Sequence, residues 1–204
     1  NYLGVAIGFF TTFFVLVRYL TPEEIGLTRV LLDAAVLLAG LSQLGTSSSV
    51  MRFFPYFKDE KNKDNGFFFW TLIIPLVGFA IFTLLFFIFK RPVCDFFQEK
   101  SPLFVDYYHL VIPIAFWILY NTVFESNASV LERIAVPRFI KEVGCRIFLL
   151  ILYLLYGFKV ISFERVLEGF AVIYFLCTLL SIGYLISLKR VSFKPNFKYV
   201  TPQI

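Results

Sequence analysis

The sequence has few charged side chains for its length. Charged residues make up 16% of the 204 residues, whereas a soluble domain carries about a quarter. Hydrophobic residues make up 59%, Phe alone occupies 28 positions, and mean hydropathy is +0.79. A soluble domain with this composition would expose large apolar patches. The composition therefore excludes a soluble domain and predicts an integral membrane protein.

Histidine, cysteine and catalytic signatures are also scarce. A single histidine, His109, excludes an HExxH zinc site and any multi-histidine metal cluster. The three cysteines, Cys94, Cys145 and Cys177, are far apart and form neither a CxxC site nor a disulfide framework. Neither a GxSxG elbow nor a Walker A loop occurs. We therefore expect neither an enzyme nor a cofactor.

No stripe of basic residues accompanies the formal net charge of +5. Lys and Arg are scattered between apolar blocks, which argues against nucleic acid as a partner and favours anionic membrane lipids. If the N-terminus is cytoplasmic, eleven Lys and Arg lie in cytoplasmic segments and six in segments on the other side. The positive-inside rule then favours a cytoplasmic N-terminus.

Six apolar stretches are long enough to cross a membrane, which takes about 20 residues of helix. They predict an all-α membrane bundle of about six transmembrane helices. The predicted helices lie at 1–20, 25–50, 66–89, 103–125, 138–158 and 164–188, and a polar linker follows at 191–204.

Local signals refine these helices. The run Thr21-Pro22-Glu23-Glu24 predicts a helix start, with an N-cap, a proline at the first helical position and an acidic first turn. Pro75 and Pro113 predict kinks in helices three and four. Gly4 and Gly8 form a small-xxx-small pair, which suits close contact between helices.

Ionisable residues in the second predicted helix indicate a functional surface. Arg29 and Asp33 are four residues apart, and Gly40, Gln43 and Ser47 continue the same face at helical spacing. Charges within a span are costly and mark a pathway or site by default. Two interpretations stay open: Arg29 and Asp33 neutralise each other, or the face is a cavity wall where Arg29 meets an anionic substrate.

Helices four and five carry further polar groups. Asp106 and His109 lie near one end of helix four, where interfacial solvation accounts for them, and Glu125 lies near the other end. On helix five, Glu142 and Arg146 are four residues apart with the acid first, which favours an ion pair.

Several short motifs resemble those of polysaccharide flippases, within the multidrug/oligosaccharidyl-lipid/polysaccharide exporter superfamily. The first is RYLTPEEIGL at 18–27, across the junction of helices one and two. Others are LSQLGT at 41–46, VMRFFP at 50–55, and AVPRF at 135–139 followed by Glu142, Val143 and Arg146. The resemblance covers essentially the whole chain.

The resemblance implies a MATE-like exporter of about 12–14 helices in two halves, with this chain as the N-terminal half. It implies that the protein flips undecaprenyl-pyrophosphate-linked oligosaccharide across the bacterial inner membrane by alternating access, for polysaccharides such as the O-antigen of lipopolysaccharide. The implied partners are this lipid-linked oligosaccharide, membrane lipids, a coupling ion (H+ or Na+) and other polysaccharide assembly proteins. Guanidinium groups bind phosphate in bidentate fashion. The candidate cavity residues are Arg18, Arg29, Asp33, Gln43, Arg52 and Arg146.

Two other functions compete with this one. A cation-coupled multidrug exporter of the same superfamily would need acidic residues in its cavity, and Asp33 is the one candidate. A membrane-embedded glycan polymerase or ligase would handle the same lipid-linked sugars with a long extracytoplasmic loop. The predicted outer loops at 21–24, 90–102 and 159–163 are short, which counts against a polymerase.

Overall fold

The computed structural model describes residues 2–59, 64–98, 102–189, 191–193 and 196. Within these residues every regular element is helical. Short π-helical segments interrupt two of the helices, at Thr11–Leu16 in the first and Ile140–Gly144 in the eighth. The helices are α1 (Tyr2–Tyr19), α2 (Pro22–Ser42), α3 (Thr46–Phe57), α4 (Phe67–Ile88), α5 (Lys90–Gln98), α6 (Pro102–Tyr107), α7 (Val111–Val130), α8 (135–157) and α9 (Phe163–Ser187).

The predicted all-α membrane bundle is confirmed. Five helical stretches among the described residues are long and apolar enough to cross a membrane: Tyr2–Tyr19, Pro22–Phe57, Asp64–Ile88, Leu103–Val130 and Phe163–Ser187. They match five of the six predicted spans. The helix predicted at 138–158 is present as α8, but its first half carries charged side chains. These are Arg138, Lys141, Glu142 and Arg146.

The second predicted helix is not continuous. α2 ends at Ser42, Leu44 and Gly45 adopt left-handed conformations with φ of 48° and 72°, and α3 begins at Thr46. The span predicted at 25–50 is therefore present within Pro22–Phe57, but two helices, α2 and α3, form it. Because the interruption falls after Gln43, at Leu44 and Gly45, Ser47 does not continue the face of Arg29 and Asp33.

The predicted start of α2 is present, and a capping box formed by Thr21 and Glu24 holds it. The backbone N–H of Glu24 donates to Thr21 Oγ1 at 3.3 Å, and the N–H of Thr21 donates to Glu24 Oε2 at 2.8 Å. The hydroxyl of Tyr156 donates to Glu24 Oε1 at 2.6 Å. A local signal in the sequence thus also fixes the α1–α2 junction against the end of α8.

The segment after α4 was predicted to be a loop, but residues 90–98 of it form α5. Lys90 and Arg91 are exposed, whereas Val93 and Phe97 pack against the core. This two-sided distribution is typical of a helix lying along the membrane interface.

The two prolines predicted to kink helices lie in different settings. Pro75 lies inside α4, as predicted. Pro113, in contrast, is the third residue of α7 and follows a 3-10 turn at Tyr108–Leu110. Its missing N–H costs little there because the first N–H groups of a helix have no helical partner.

α7 is the central helix of the bundle. It packs against α2, α3, α4 and α9, whereas α1 packs against α8. Apolar side chains fill the core, where Leu27, Leu31, Ile114 and Leu119 are almost completely buried.

The bundle has two ends. We call the end that holds Gly4, Phe57 and Val130 the N-terminal end, and the end that holds Glu24 and Tyr156 the opposite end.

The predicted linker begins by folding back on α4. The ring of Phe193 lies 5.6 Å from that of Phe68, and Trp70 Nε1 donates to the carbonyl of Asn196 at 3.4 Å. Residues 194–195 and 197–204 of this linker lie outside the described residues.

Candidate functional site

Four charged side chains join α7 to α8 near the N-terminal end of the bundle. Lys141 Nζ lies 2.7 Å from Glu125 Oε2 and 3.5 Å from Thr122 Oγ1. Arg138 Nε lies 3.1 Å from Glu142 Oε1 and 4.0 Å from Glu125 Oε1. We call Glu125, Arg138, Lys141 and Glu142 the charged cluster.

The cations of the charged cluster lie nearer the surface than its carboxylates. The exposed fraction of the side chain is 53% for Arg138 and 38% for Lys141, against 18% for Glu125 and 30% for Glu142. The cations are therefore the more accessible members of the charged cluster.

Arg146 lies one turn beyond the charged cluster and contacts α1. Its Nη1 donates to the carbonyl of Gly4. A Cβ atom at Gly4 would lie 2.7 Å from the Glu142 carbonyl oxygen, and one at Gly8 would lie 2.8 Å from Arg146 Nη1. The close helix contact predicted from Gly4 and Gly8 is thus confirmed.

Glu142 pairs with Arg138, whose Nε lies 3.1 Å from Glu142 Oε1. The ion pair between Glu142 and Arg146 that their i, i+4 spacing favours stays a prediction. Glu142 lies in the π-helical segment Ile140–Gly144, and Arg146 follows that segment.

Arg18, Arg29 and Asp33 lie in the half of the bundle nearer the opposite end. Arg18 is exposed in the last turn of α1, with its Cζ 5.7 Å from the ring centroid of Tyr19. Arg29 and Asp33 are exposed on α2, and no ion pair or hydrogen bond joins these two described side chains. Each side chain is therefore available to another group.

Gln43 and Arg52 follow Asp33 in the sequence and lie closer to the N-terminal end of the bundle. Gln43 is the half-buried C-cap of α2, and Arg52 is exposed on α3 with its Cζ 5.7 Å from the Phe53 ring. Arg29 lies on α2 and Arg52 on α3, on the two sides of the break at Leu44 and Gly45. The structure thus separates the predicted arginines into two groups instead of bringing them to one point.

Asp33 also lines a cleft between α2, α4, α5 and α6, with a volume of about 650 Å³. The cleft wall is otherwise built from apolar and aromatic side chains, with the hydroxyl of Tyr108 as an additional polar group. We call it the α2–α4 cleft.

Arg138, Lys141 and Asn121 were not predicted from the sequence as site residues. The two basic residues repeat at helical spacing, but their partner Glu125 lies on another helix, so that contact has no local signal. Asn121 lies one turn before Glu125 and is 2% exposed. Neither its Nδ2 nor its Oδ1 has a hydrogen-bond partner among the described residues. A buried and unsatisfied amide is rare and calls for an explanation.

The comparison with protein families agrees with this architecture. Residues 2–203 match the family described as Polysaccharide biosynthesis protein. No curated protein and no solved structure matches the chain. The family match covers nearly the whole sequence and confirms the resemblance carried by the motifs between Arg18 and Arg146. The chain, a bundle of membrane-spanning helices, belongs to the polysaccharide biosynthesis protein family.

Proposed function

We propose that this bundle forms part of a transporter that moves undecaprenyl-pyrophosphate-linked oligosaccharide across the bacterial inner membrane. The observation that carries the proposal is the placement of exposed arginines toward both ends of a membrane-spanning bundle from a polysaccharide family. A pyrophosphate that crosses a low-dielectric region requires compensating cations. No bond of the substrate is made or broken, so the proposed protein is not an enzyme.

The N-terminal end is the proposed entry side and faces the cytoplasm. Its cations are Arg52, Arg138, Lys141 and Arg146. Arg146 is held by the Gly4 carbonyl, and Arg138 and Lys141 are held by carboxylates beneath them. Cations fixed in this way bind an anion with less loss of side-chain entropy than free ones.

The opposite end is the proposed release side. Arg18 and Arg29 are exposed there, and Arg29 is not neutralised by Asp33. In the proposed cycle the pyrophosphate passes from the first group of cations to the second as this bundle rocks against a second one, driven by a coupling ion. Separation of the two groups suits a relay, because a single tight site would retain the substrate.

The test uses a strain in which the full-length gene product is the sole flippase candidate. We expect Arg29→Ala and Arg146→Ala to reduce surface polysaccharide and to leave lipid-linked oligosaccharide in the cytoplasmic leaflet. Arg29→Lys should retain partial export, because it keeps the charge but not the bidentate geometry. Arg165→Ala, at an exposed position near the start of α9, is the matched control and should export normally.

Two outcomes contradict the proposal. Normal surface polysaccharide in both alanine strains would show that export does not need Arg29 or Arg146. If single repeat units reach the outer leaflet but are not joined, the protein acts as a polymerase and not as a flippase. The leaflet that holds the lipid-linked oligosaccharide distinguishes the two functions.

A further inference from the structure

The α2–α4 cleft has the dimensions of a small-molecule site. Its volume of about 650 Å³ lies within the range of about 300–1,000 Å³ that is usual for drug-sized ligands. Aromatic rings from three parts of the chain form much of the wall: Phe82, Phe86, Phe89, Phe97, Phe104 and Tyr108.

One side of the cleft is a fixed aromatic surface. The rings of Phe86 and Tyr108 stack at 4.1 Å with an interplanar angle of 7°, and Phe104 packs edge-on against Tyr108 at 5.8 Å. The hydroxyl of Tyr108 donates to the carbonyl of Phe86 at 2.8 Å. Phe104 and Tyr108 are 2% and 3% exposed, so this wall is already formed without a ligand.

Among the described residues that line the cleft, Asp33 is the one with a charged side chain. It lies in the middle of α2, within a membrane-spanning stretch, and its side chain is exposed. Arg29, one turn away, neither lines the cleft nor pairs with Asp33. An ionisable group in a span without a partner marks a functional site by default.

The residues that line the α2–α4 cleft indicate which kind of ligand it binds. A lipid chain would fill an apolar groove without any need for a carboxylate, and an anion would be repelled by Asp33. A metal ion needs several oxygen ligands, whereas the described part of the lining supplies one carboxylate, that of Asp33. The faces of aromatic rings attract cations. From this combination we propose that the α2–α4 cleft binds a lipophilic organic cation, with the Asp33 carboxylate as its counter-ion.

This proposal goes beyond the transport of lipid-linked oligosaccharide and does not depend on it. The test titrates purified full-length protein, in nanodiscs of neutral phosphatidylcholine, with tetraphenylphosphonium. Tetraphenylborate is the matched probe, since it has the same shape and the opposite charge. Signal from protein-free nanodiscs is subtracted for both probes.

We expect saturable binding of the cation at least about tenfold tighter than that of the anion. Asp33→Asn should weaken cation binding about tenfold or more, whereas Asp33→Glu should largely retain it. Asp95→Asn is the control, because Asp95 is an exposed carboxylate on the adjacent helix α5 that does not line the cleft.

Three outcomes would overturn the proposal. These are no saturable binding of the cation, equal saturable binding of both probes, or unchanged cation binding in a folded Asp33→Asn variant. Equal binding of both probes would identify the cleft as a groove for lipid chains. If Asp33→Asn does not fold, the comparison of the two probes on the unmodified protein and on Asp33→Glu decides the question.

Discussion

Lys141 on α8 and Glu125 on α7 form an ion pair, with Nζ 2.7 Å from Oε2. The two residues are 16 positions apart in sequence. The side chain of Glu125 is 18% exposed, so the pair is partly shielded from water and from salt. This contact fixes the charged half of α8 against the central helix.

The first prediction is that Glu125 and Lys141 are energetically coupled. Glu125→Gln and Lys141→Gln should each lower the thermal unfolding midpoint, because each removes the 2.7 Å contact from a partly buried ion pair. A double-mutant cycle should give a coupling of about 1 kcal/mol, since the exposure of Lys141 limits the effect. Glu132→Gln, at an exposed position, serves as the control. Strictly additive effects of the two substitutions would contradict the coupling.

The sequence predicted those features that depend on neighbours along the chain. The start of α2 followed from Thr21, Pro22 and Glu24 because N-caps are local hydrogen bonds. The close α1–α8 contact followed in part from Gly4 and Gly8. The break after Ser42 was not predicted, although Gly45 lies in the polar run 42–49, because transmembrane helices tolerate glycine and small polar residues.

The candidate site was only partly predictable, because some of its contacts join residues that are distant in the sequence. Arg29 and Asp33 are unusual within a span and could be identified from sequence alone. The partners of Glu125 lie on another helix, so no local rule predicts them.

A second prediction compares two glycines that differ in their surroundings. Gly4→Ala should destabilise the protein by about 1–3 kcal/mol, because its Cβ would lie 2.7 Å from a backbone oxygen of α8. Gly40→Ala should stabilise it by about 0.5–1 kcal/mol, since Gly40 is helical with no atom within 4 Å of the added Cβ. Thermal unfolding of both variants measures the difference. Equal midpoints would show that α1 does not pack closely on α8.

The third prediction concerns orientation in the membrane. Glu132 and Ser162 are exposed at the N-terminal end and the opposite end of the bundle. In a variant of the full-length protein with Cys94, Cys145 and Cys177 replaced by serine, we expect Ser162→Cys to react with an impermeant maleimide on intact spheroplasts. Glu132→Cys should react only after the membrane is permeabilised. The reverse pattern would place the N-terminus outside and would exchange the proposed entry and release sides.

The final prediction separates two buried asparagines on α7. Asn127 Nδ2 donates to Thr71 Oγ1 at 3.1 Å and to the Val123 carbonyl at 2.9 Å, whereas the amide of Asn121 has no partner among the described residues. Asn127→Leu should therefore lower stability by about 1–2 kcal/mol, and Asn121→Leu should raise it, because an unsatisfied polar group is removed from the interior.

Thermal unfolding followed by tryptophan fluorescence measures both changes, and about 1 kcal/mol corresponds to a shift of about 2–4 °C at this chain length. A lower midpoint for Asn121→Leu would show that this amide has a partner after all, such as a bound water. Surface polysaccharide is also measured in a strain that carries Asn121→Leu. A protein that is more stable but exports less polysaccharide would place Asn121, one turn from Glu125, on the substrate path, because its unsatisfied amide would then serve transport at the expense of stability.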